Sequence, residues 1–296
     1  MYANFDLHLP KDLNAALAIL GDAGDDAKVM PLAGGTNLIV DIRARSVSPA
    51  ALVGIGDIPH LRGIHVTSGQ VVMGGKTTVS DILRSPELTH RASSLVGSAR
   101  VFGGQMVRNA ATVAGNICYA SPAADLVPPL LVLDAEVTLE RREGERTLPL
   151  SEFYLDYRRT ARRPDELLTR VTWPAPSSDS VDLFYKLARR KGDAITIAGI
   201  AVALGVADGK CTRARIALGA VAPIVMRAVE AERMLEGEAL TPELIEAAAR
   251  QAAEATSPID DLRASGKYRR RCVNVLTSRL LTQAWRRLSE RVSGDE

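Results

Sequence analysis

The stretch PLAGGTNLIV, residues 31–40, interrupts an apolar run with two glycines and two small polar residues. Gly34 and Gly35 can adopt backbone angles that are closed to other residues, and they let another group approach the main chain closely. A tight turn explains this pattern, and so does a cradle in which backbone N–H groups converge on a phosphate. The stretch by itself leaves both interpretations open, because glycine-rich matches have a high false-positive rate.

A second stretch, NAATVAGNICYASPAADL at residues 109–126, repeats the theme of small residues. A turn that joins a strand to a helix, with Ser121 or Asp125 as the helix cap, would explain it. Two such loops in one chain are also typical of a pyrophosphate clamp, since two opposed sets of backbone donors can hold both charged groups. We therefore expect the two loops to form the two sides of one site.

The periodicity of the first half of the chain predicts a small α/β unit followed by a mixed region. Residues 12–20 are predicted to form a helix capped by Asp12, with buried strands at about 28–33 and 51–58. From about residue 65 the pattern changes, and alternating residues around Glu143-Gly144 predict a β-hairpin.

The last part of the chain predicts a separate domain of strands followed by helices. Residues 174–180, PAPSSDS, have the composition of a linker. Strands are predicted near 182–190, 194–206 and 211–219, and helices near 225–236, 242–255 and 266–290. Thr241 is expected to cap the middle helix, with Pro242 at its first position.

Composition excludes several classes of function. The chain has 37 Lys+Arg and 35 Asp+Glu with both signs interspersed, so no nucleic acid partner is expected. The longest apolar run, residues 194–207, is shorter than the ~20 residues of a membrane helix, and no signal peptide is expected. The run Arg269-Arg270-Arg271 is expected on a solvated helix face or at a protein contact.

The cysteines and histidines predict no metal site in this chain. Cys118, Cys211 and Cys272 lie far apart with no Cys-x-x-Cys pair, so neither an iron–sulfur cluster nor a zinc site is expected. A disulfide framework is not expected either, which fits a reducing cytoplasm. The histidines have no spacing typical of a triad or a metal site, and no catalytic acid or base stands out.

The pair AGGTN and TVAGN…SPAAD resembles the flavoprotein subunit of the molybdenum hydroxylases. This family includes the FAD subunits of bacterial xanthine dehydrogenase, carbon monoxide dehydrogenase and 4-hydroxybenzoyl-CoA reductase. The resemblance covers nearly the whole chain. Three further stretches carry it in the family's order: FGGQMVRNAATVAGNI, DELLTRVTWP and FYKLARRKGDAITIAGIAVAL.

The resemblance implies an α+β fold of two domains. Residues 1–176 would form a two-subdomain FAD-binding domain of the vanillyl-alcohol oxidase/PCMH type, with subdomains at about 1–60 and 61–176. Residues 181–290 would form a C-terminal α+β domain with a three-stranded sheet plus helices.

The same resemblance implies FAD as the cofactor of this chain and gives roles to its loops. Residues Pro31 to Leu38 would wrap the pyrophosphate, and Thr112 to Asn116 would form the second wall. The residues implied to bind the cofactor are Pro31, Leu32, Ala33, Gly34, Gly35, Thr36, Asn37, Leu38, Phe102, Thr112, Val113, Ala114, Gly115, Asn116, Asp125, Leu168 and Lys186.

Four of these residues are implied to act near the flavin ring. Phe102 would lie beside the ring, and Leu168 would pack on it. Asp125 would hydrogen-bond a flavin hydroxyl or ring group. Lys186 would lie at the polar edge, where a cation favours the reduced, anionic flavin. The alternatives are a core phenylalanine, a helix cap at Asp125 and a surface lysine on a strand.

Two features depart from the pattern of the family. Ala114 stands where members often have the first of two glycines, which restricts the backbone there. The inserted loop of the 4-hydroxybenzoyl-CoA reductase flavoprotein, with its cysteine-bound iron–sulfur cluster, is missing here, so no cluster is expected in this chain.

The function implied is that of an electron-transfer subunit. A large partner subunit would hold the molybdopterin–molybdenum cofactor, and a small one would hold two [2Fe–2S] clusters, in a dimer of heterotrimers. Electrons would pass through the clusters to FAD and then to NAD, a quinone or oxygen. Two alternatives remain open: a self-contained flavin oxidoreductase similar to UDP-N-acetylenolpyruvylglucosamine reductase, and an assembly module that has lost FAD.

Overall fold

A three-stranded parallel sheet in the order β1-β3-β2 begins the computed structural model, which describes residues 4–24, 28–67, 69–177 and 179–294. Its strands are β1 (Asp6–His8), β2 (Val29–Leu32) and β3 (Ala51–Gly54). The helices α1 (Leu13–Asp22) and α2 (Leu38–Arg43) connect them, and a 3₁₀ turn follows at Pro59–Leu61. The predicted cap is confirmed, because the Asp12 carboxylate accepts a hydrogen bond from Ala15 N.

A five-stranded antiparallel sheet in the order β4-β5-β10-β6-β7 forms the second part. Its strands are β4 (Ile64–Val66), β5 (Gln70–Gly74), β6 (Glu136–Arg141), β7 (Gly144–Pro149) and β10 (Leu167–Pro174). A two-stranded ribbon consists of β8 (Tyr154–Asp156) and β9 (Arg159–Thr160). The predicted hairpin is β6–β7, with Arg141 paired to Gly144, so that its turn lies one residue before the expected one.

Seven short helices pack around this sheet. They are α3 (Val79–Arg84), α4 (Pro86–Arg91), α5 (Ser93–Arg100), α6 (Gln105–Ala110), α7 (Val113–Cys118), α8 (Val127–Val132) and α9 (Leu150–Phe153). Trp173 of the sheet and Phe153 of α9 are among the largest fully buried side chains of their common core. This part of the chain therefore has a well-packed core that supports the candidate loops.

The C-terminal part has the three long antiparallel strands and three helices that the sequence predicts. The strands are β11 (Ser180–Ala188), β12 (Thr196–Ala207) and β13 (Lys210–Gly219), with the two-residue β14 (Met226–Arg227) at the edge next to β13. The helices are α10 (Val229–Leu235), α11 (Pro242–Glu254) and α12 (Gly266–Gly294). Thr241 caps α11 through Leu244 N, with Pro242 at the helix start, as predicted.

The apolar run at 194–207 is explained by a strand covered on both faces. Ile200 and Val202 of β12 pack into the core formed with the C-terminal helices, whereas Ala201 and Ala203 pack into the core of the five-stranded sheet and its helices. Burial of both faces produces a continuous apolar pattern instead of an alternating one.

Among the residues that the structure describes, no helix has the length and apolar character needed to cross a membrane.

The carboxylate of Asp134 joins the two cores. It accepts hydrogen bonds from Arg213 Nη2 at 2.9 Å, Arg215 Nε at 3.0 Å and Arg227 Nη1 at 2.8 Å. Because the three arginines belong to β13 and β14, this cluster fixes the C-terminal sheet against the end of α8.

The prediction of a solvated face for the arginine run is wrong at Arg269. Its side chain is only 3% exposed and donates to Asp261 Oδ1 at 2.7 Å, Ile197 O at 2.7 Å and Ala220 O at 3.1 Å. Successive residues of a helix point in directions about 100° apart, so one member of the run falls on the buried face of α12. Arg270 and Arg271 are exposed, as expected.

Candidate functional site

A cleft lies between the parallel-sheet unit and the antiparallel-sheet unit, with about 1010 Å³ of empty space that includes its opening to solvent. Residues 31–38 line one side, and Thr112, Ala114, Gly115 and Asn116 line the other. Phe102 and Leu168 also line it. The structure thus brings together both loops that the sequence singles out.

The two glycines of the first loop are required for two different reasons. Gly35 has φ +68°, the left-handed region that favours glycine. A Cβ atom on Gly34 would lie only 1.8 Å from the carbonyl oxygen of Ala110, which ends α6 just before the second loop. The first glycine therefore allows close contact between the two loops, and the second allows the turn into α2.

The first loop has free backbone donors. Within the described part of the chain, no acceptor is found for the backbone N–H groups of Gly34, Gly35, Thr36 and Asn37. Buried backbone N–H groups are almost always paired within the protein, whereas these partly exposed groups are open to an acceptor in the cleft. Consecutive unpaired N–H groups at the wall of a cleft form a suitable cradle for an anion such as a diphosphate.

The second loop differs, and the expectation of a second set of free backbone donors is wrong. Val113 N donates to Thr77 O at 3.0 Å, and Ala114 N donates to Gly75 O at 2.9 Å. Gly115 N donates to the Thr112 hydroxyl at 3.1 Å, so that Thr112 caps α7. The Val113 side chain is fully buried in the core and does not line the cleft.

The second loop therefore offers the cleft side-chain groups. Asn116 Oδ1 accepts from Leu126 N at 3.3 Å, and its amide nitrogen has no acceptor among the described residues. Ala114 takes the place of the family's glycine at the start of α7, where the helical backbone accepts any L-residue. Its methyl group lies near Gly75, whose missing Cβ would be 3.0 Å away.

The turn that carries Phe102 is held by two cations. Lys186 Nζ donates to Val101 O at 3.3 Å, and Arg108 Nη1 donates to Phe102 O at 3.1 Å and Gly103 O at 2.7 Å. Gly103 has φ +40°. Phe102 is partly buried against the core and also lines the cleft, and its place beside a flavin ring stays a prediction.

Asp125 and Lys186 form an ion pair next to this turn. Their charged atoms lie 2.6 Å apart, and Thr196 Oγ1 donates to the other carboxylate oxygen of Asp125 at 2.5 Å. The side chain of Lys186 is 6% exposed, so the alternative of a surface lysine is wrong. Asp125 caps no helix, and burial raises the pKa of its carboxyl although Lys186 lowers it. Neither residue lines the cleft, so their contacts with a flavin stay predictions.

Several residues at the cleft were not predicted. Tyr119 follows α7, and the Arg158 guanidinium lies 4.4 Å from its ring centre and bonds to its hydroxyl. Burial raises the pKa of the Cys118 thiol to about 11, which keeps it neutral. Cys118 and Tyr119 belong to the second stretch but not to the small residues that mark it, and the fold was needed to show that they line the cleft.

Two charged side chains also line the cleft, Arg162 and Glu166. Glu166 is buried and accepts from Arg146 Nε at 2.6 Å and Nη2 at 2.9 Å, so its charge is compensated. Arg162 has no carboxylate within 4 Å in the described residues. The pair Arg162-Arg163 in sequence gave no signal that its first member faces a cleft.

Comparison with protein families finds two matches. Residues 3–176 match the FAD binding domain in molybdopterin dehydrogenase, and residues 183–284 match the CO dehydrogenase flavoprotein C-terminal domain. The chain is 34% identical to the carbon monoxide dehydrogenase medium chain of Hydrogenophaga pseudoflava, over 96% of this chain and 98% of that one. It is 33% identical to the nicotinate dehydrogenase FAD-subunit of Eubacterium barkeri, over 82% and 83% of the two chains.

Solved structures give the same result. A chain of carbon monoxide dehydrogenase from Hydrogenophaga pseudoflava superposes with a TM-score of 0.93 at 33% identity, covering 97% of this chain and 99% of that one. A chain of quinoline 2-oxidoreductase from Pseudomonas putida 86 superposes with a TM-score of 0.88 at 27% identity, covering 96% and 98%. The similarity extends over nearly the whole chain.

Proposed function

Because the chain belongs to the family of FAD-binding flavoprotein subunits of the molybdenum hydroxylases, we propose that it passes electrons from the iron–sulfur clusters of a partner subunit to an external acceptor. The expected partners are a large molybdopterin-binding subunit and a small [2Fe–2S] subunit, assembled as a dimer of heterotrimers. NAD, a quinone or oxygen would serve as the acceptor. Three free cysteines suit a reducing cytoplasm as the location.

One observation carries this proposal: the backbone donors of residues 34–37, unpaired within the described part of the chain, lie at the wall of a cleft that both loops line. These N–H groups would hold the diphosphate of FAD. When bound, FAD supplies the redox centre for electron transfer. The chain's own residues bind and orient it, and none of them needs to act as an acid or a base.

The Phe102 turn and the Asp125–Lys186 pair are the features that would set the environment of the flavin ring. A buried cation such as Lys186 favours negative charge in its neighbourhood. Since Asp125 already compensates that cation, the pair would offer both a donor and an acceptor to the ring. Phe102 would cover one side of it with an apolar wall.

The alternatives have less support. A self-contained reductase would need a substrate pocket and a proton donor of its own, and the match over nearly the full length of medium chains favours a subunit. A module that has lost FAD would have no need for a loop of free donors. We therefore keep the electron-transfer subunit as the single proposal.

The test is to purify the full chain, record its visible spectrum and identify any released chromophore. Flavin absorption with one FAD per chain supports the proposal. Uptake of FAD only with the partner subunits present also supports it and shows that they complete the site. A colourless protein that refuses FAD even with its partners contradicts it.

A further inference from the structure

Arg162 lies on a tightly fixed turn at the wall of the cleft. Its Nη1 donates to three carbonyl oxygens of the turn, those of Arg163 at 2.9 Å, Pro164 at 3.2 Å and Glu166 at 2.7 Å. The turn is closed by Arg163 N, which donates to the Glu166 carboxylate at 2.7 Å. Arg146 adds a hydrogen bond to Ala161 O at 2.5 Å. The guanidinium is therefore held in place before any ligand binds.

The remaining donors of this guanidinium are free. In the described residues, neither Nε nor Nη2 of Arg162 has a hydrogen-bond acceptor, and no carboxylate pairs with it. An arginine carries five N–H donors, and those of Nε and one Nη can meet two oxygens of a phosphate side by side. A fixed side chain also loses little conformational entropy when it binds.

The charge balance of the cleft makes this cation distinctive. The other charged residue of the lining, Glu166, is paired with Arg146 through two hydrogen bonds. The first loop contributes backbone N–H groups without a net charge. Arg162 thus supplies the uncompensated positive charge of the lining, opposite to that of a diphosphate.

We propose that Arg162 binds the diphosphate of the dinucleotide. Its charge would make the cleft bind the charged ADP half of FAD more tightly than the uncharged flavin half. This inference rests on the proposed function. The backbone N–H groups of the first loop would then bind the diphosphate through hydrogen bonds, and Arg162 would bind it through its positive charge.

The experiment uses the full chain, freed of cofactor, with three probes: FAD, ADP and riboflavin. We expect Arg162→Gln to raise the Kd of FAD and of ADP by about 10- to 100-fold, the usual loss of a charge-assisted hydrogen bond. The Kd of riboflavin, which has no phosphate, should stay within about twofold. Arg162→Lys should recover part of the loss, because it keeps the charge without the fork of two donors.

Arg163→Gln is the matched control, because it removes the neighbouring arginine, whose side chain is exposed. It should leave all three Kd values unchanged. Equal weakening of riboflavin and ADP by Arg162→Gln would mean damage to the turn and would overturn the inference, as would unchanged FAD binding. Failure of the unaltered chain to bind FAD would instead count against the proposed function, so that the two failures are distinguishable.

Discussion

The two loops of the cleft are both rich in small residues, but they have different structural roles. In the first, the N–H groups of residues 34–37 are unpaired among the described residues, and both glycines are required by the backbone. In the second, the N–H groups of residues 113–116 are all bonded within the protein. Small residues therefore indicate where main chains come close together, but they do not reveal which of the partners has donors left for a ligand.

This difference predicts that changes in the first loop weaken binding of the cofactor, whereas changes in the second lower stability and leave that binding almost unchanged. Four experiments test this difference between the two loops.

The largest effect is expected from Gly34→Ala. The new methyl group would lie 1.8 Å from Ala110 O, a backbone atom that cannot move aside cheaply. We expect a loss of about 3 kcal/mol of unfolding free energy, at the upper end of overpacking effects, together with loss of FAD. Chemical denaturation and FAD content measure both.

The control for this change is Gly21→Ala in α1, where a Cβ would meet nothing within 4 Å. Removing a helical glycine there should stabilise the protein by about 0.5–1 kcal/mol. If Gly34→Ala behaved like the control, the two loops would not be in contact.

Gly35→Asp should weaken FAD binding by more than about 100-fold, because it sets a carboxylate against the diphosphate. Gly35→Asn is the matched variant, since it has nearly the same shape without the charge and tolerates φ +68° better than most residues. Titration of the cofactor-free chains with FAD compares the two. Equal losses would show that shape, not charge, decides binding at this loop.

The rate at which iodoacetamide labels Cys118 tests the surroundings of the thiol at the end of α7. Because burial raises the pKa of its thiol to about 11, the group is protonated at pH 8 and becomes a thiolate only as the pH approaches 11. We expect it to react with iodoacetamide about 100-fold more slowly at pH 8 than a free cysteine. Peptide mass spectrometry follows the labelling, and the urea-unfolded chain is the control. Fast labelling of the folded chain would show that the thiol is not kept neutral at the end of α7.

The smallest effect is expected from Thr112→Ala, which removes the cap of α7. The loss should be about 1 kcal/mol of unfolding free energy, with the Kd of FAD within about threefold of the unaltered chain. Thr112→Ser keeps the hydroxyl and should recover the stability. A large loss of FAD affinity without loss of stability would show that the second loop binds the cofactor directly.

Much of the fold could be predicted from local patterns. The cap at Asp12, the hairpin, the three long C-terminal strands and the start of α11 follow from periodicity and capping residues. The two-residue strand β14 could not be found, because two residues give no periodicity. The burial of Arg269 was missed because a run of like charges looks solvated, whereas its partner Asp261 is provided by another segment.

The residues of the site were predicted less completely than the secondary structure. Small residues and glycines mark residues 31–38 and 112–116, and both groups reach the cleft apart from the Val113 side chain. Tyr119 lies within the second stretch and Arg162 lies outside both stretches, and the fold was needed to show that both line the cleft.

The sequence alone indicated where main chains can come close together and which apolar runs form strands. It did so because glycine spacing and apolar runs act over a few neighbouring residues. The folded molecule is needed to show which backbone donors stay free, which arginine is buried and which cation is left uncompensated. Those properties depend on whether a distant segment supplies the acceptor or the opposite charge, as Gly75 does for Ala114 and Arg146 does for Glu166.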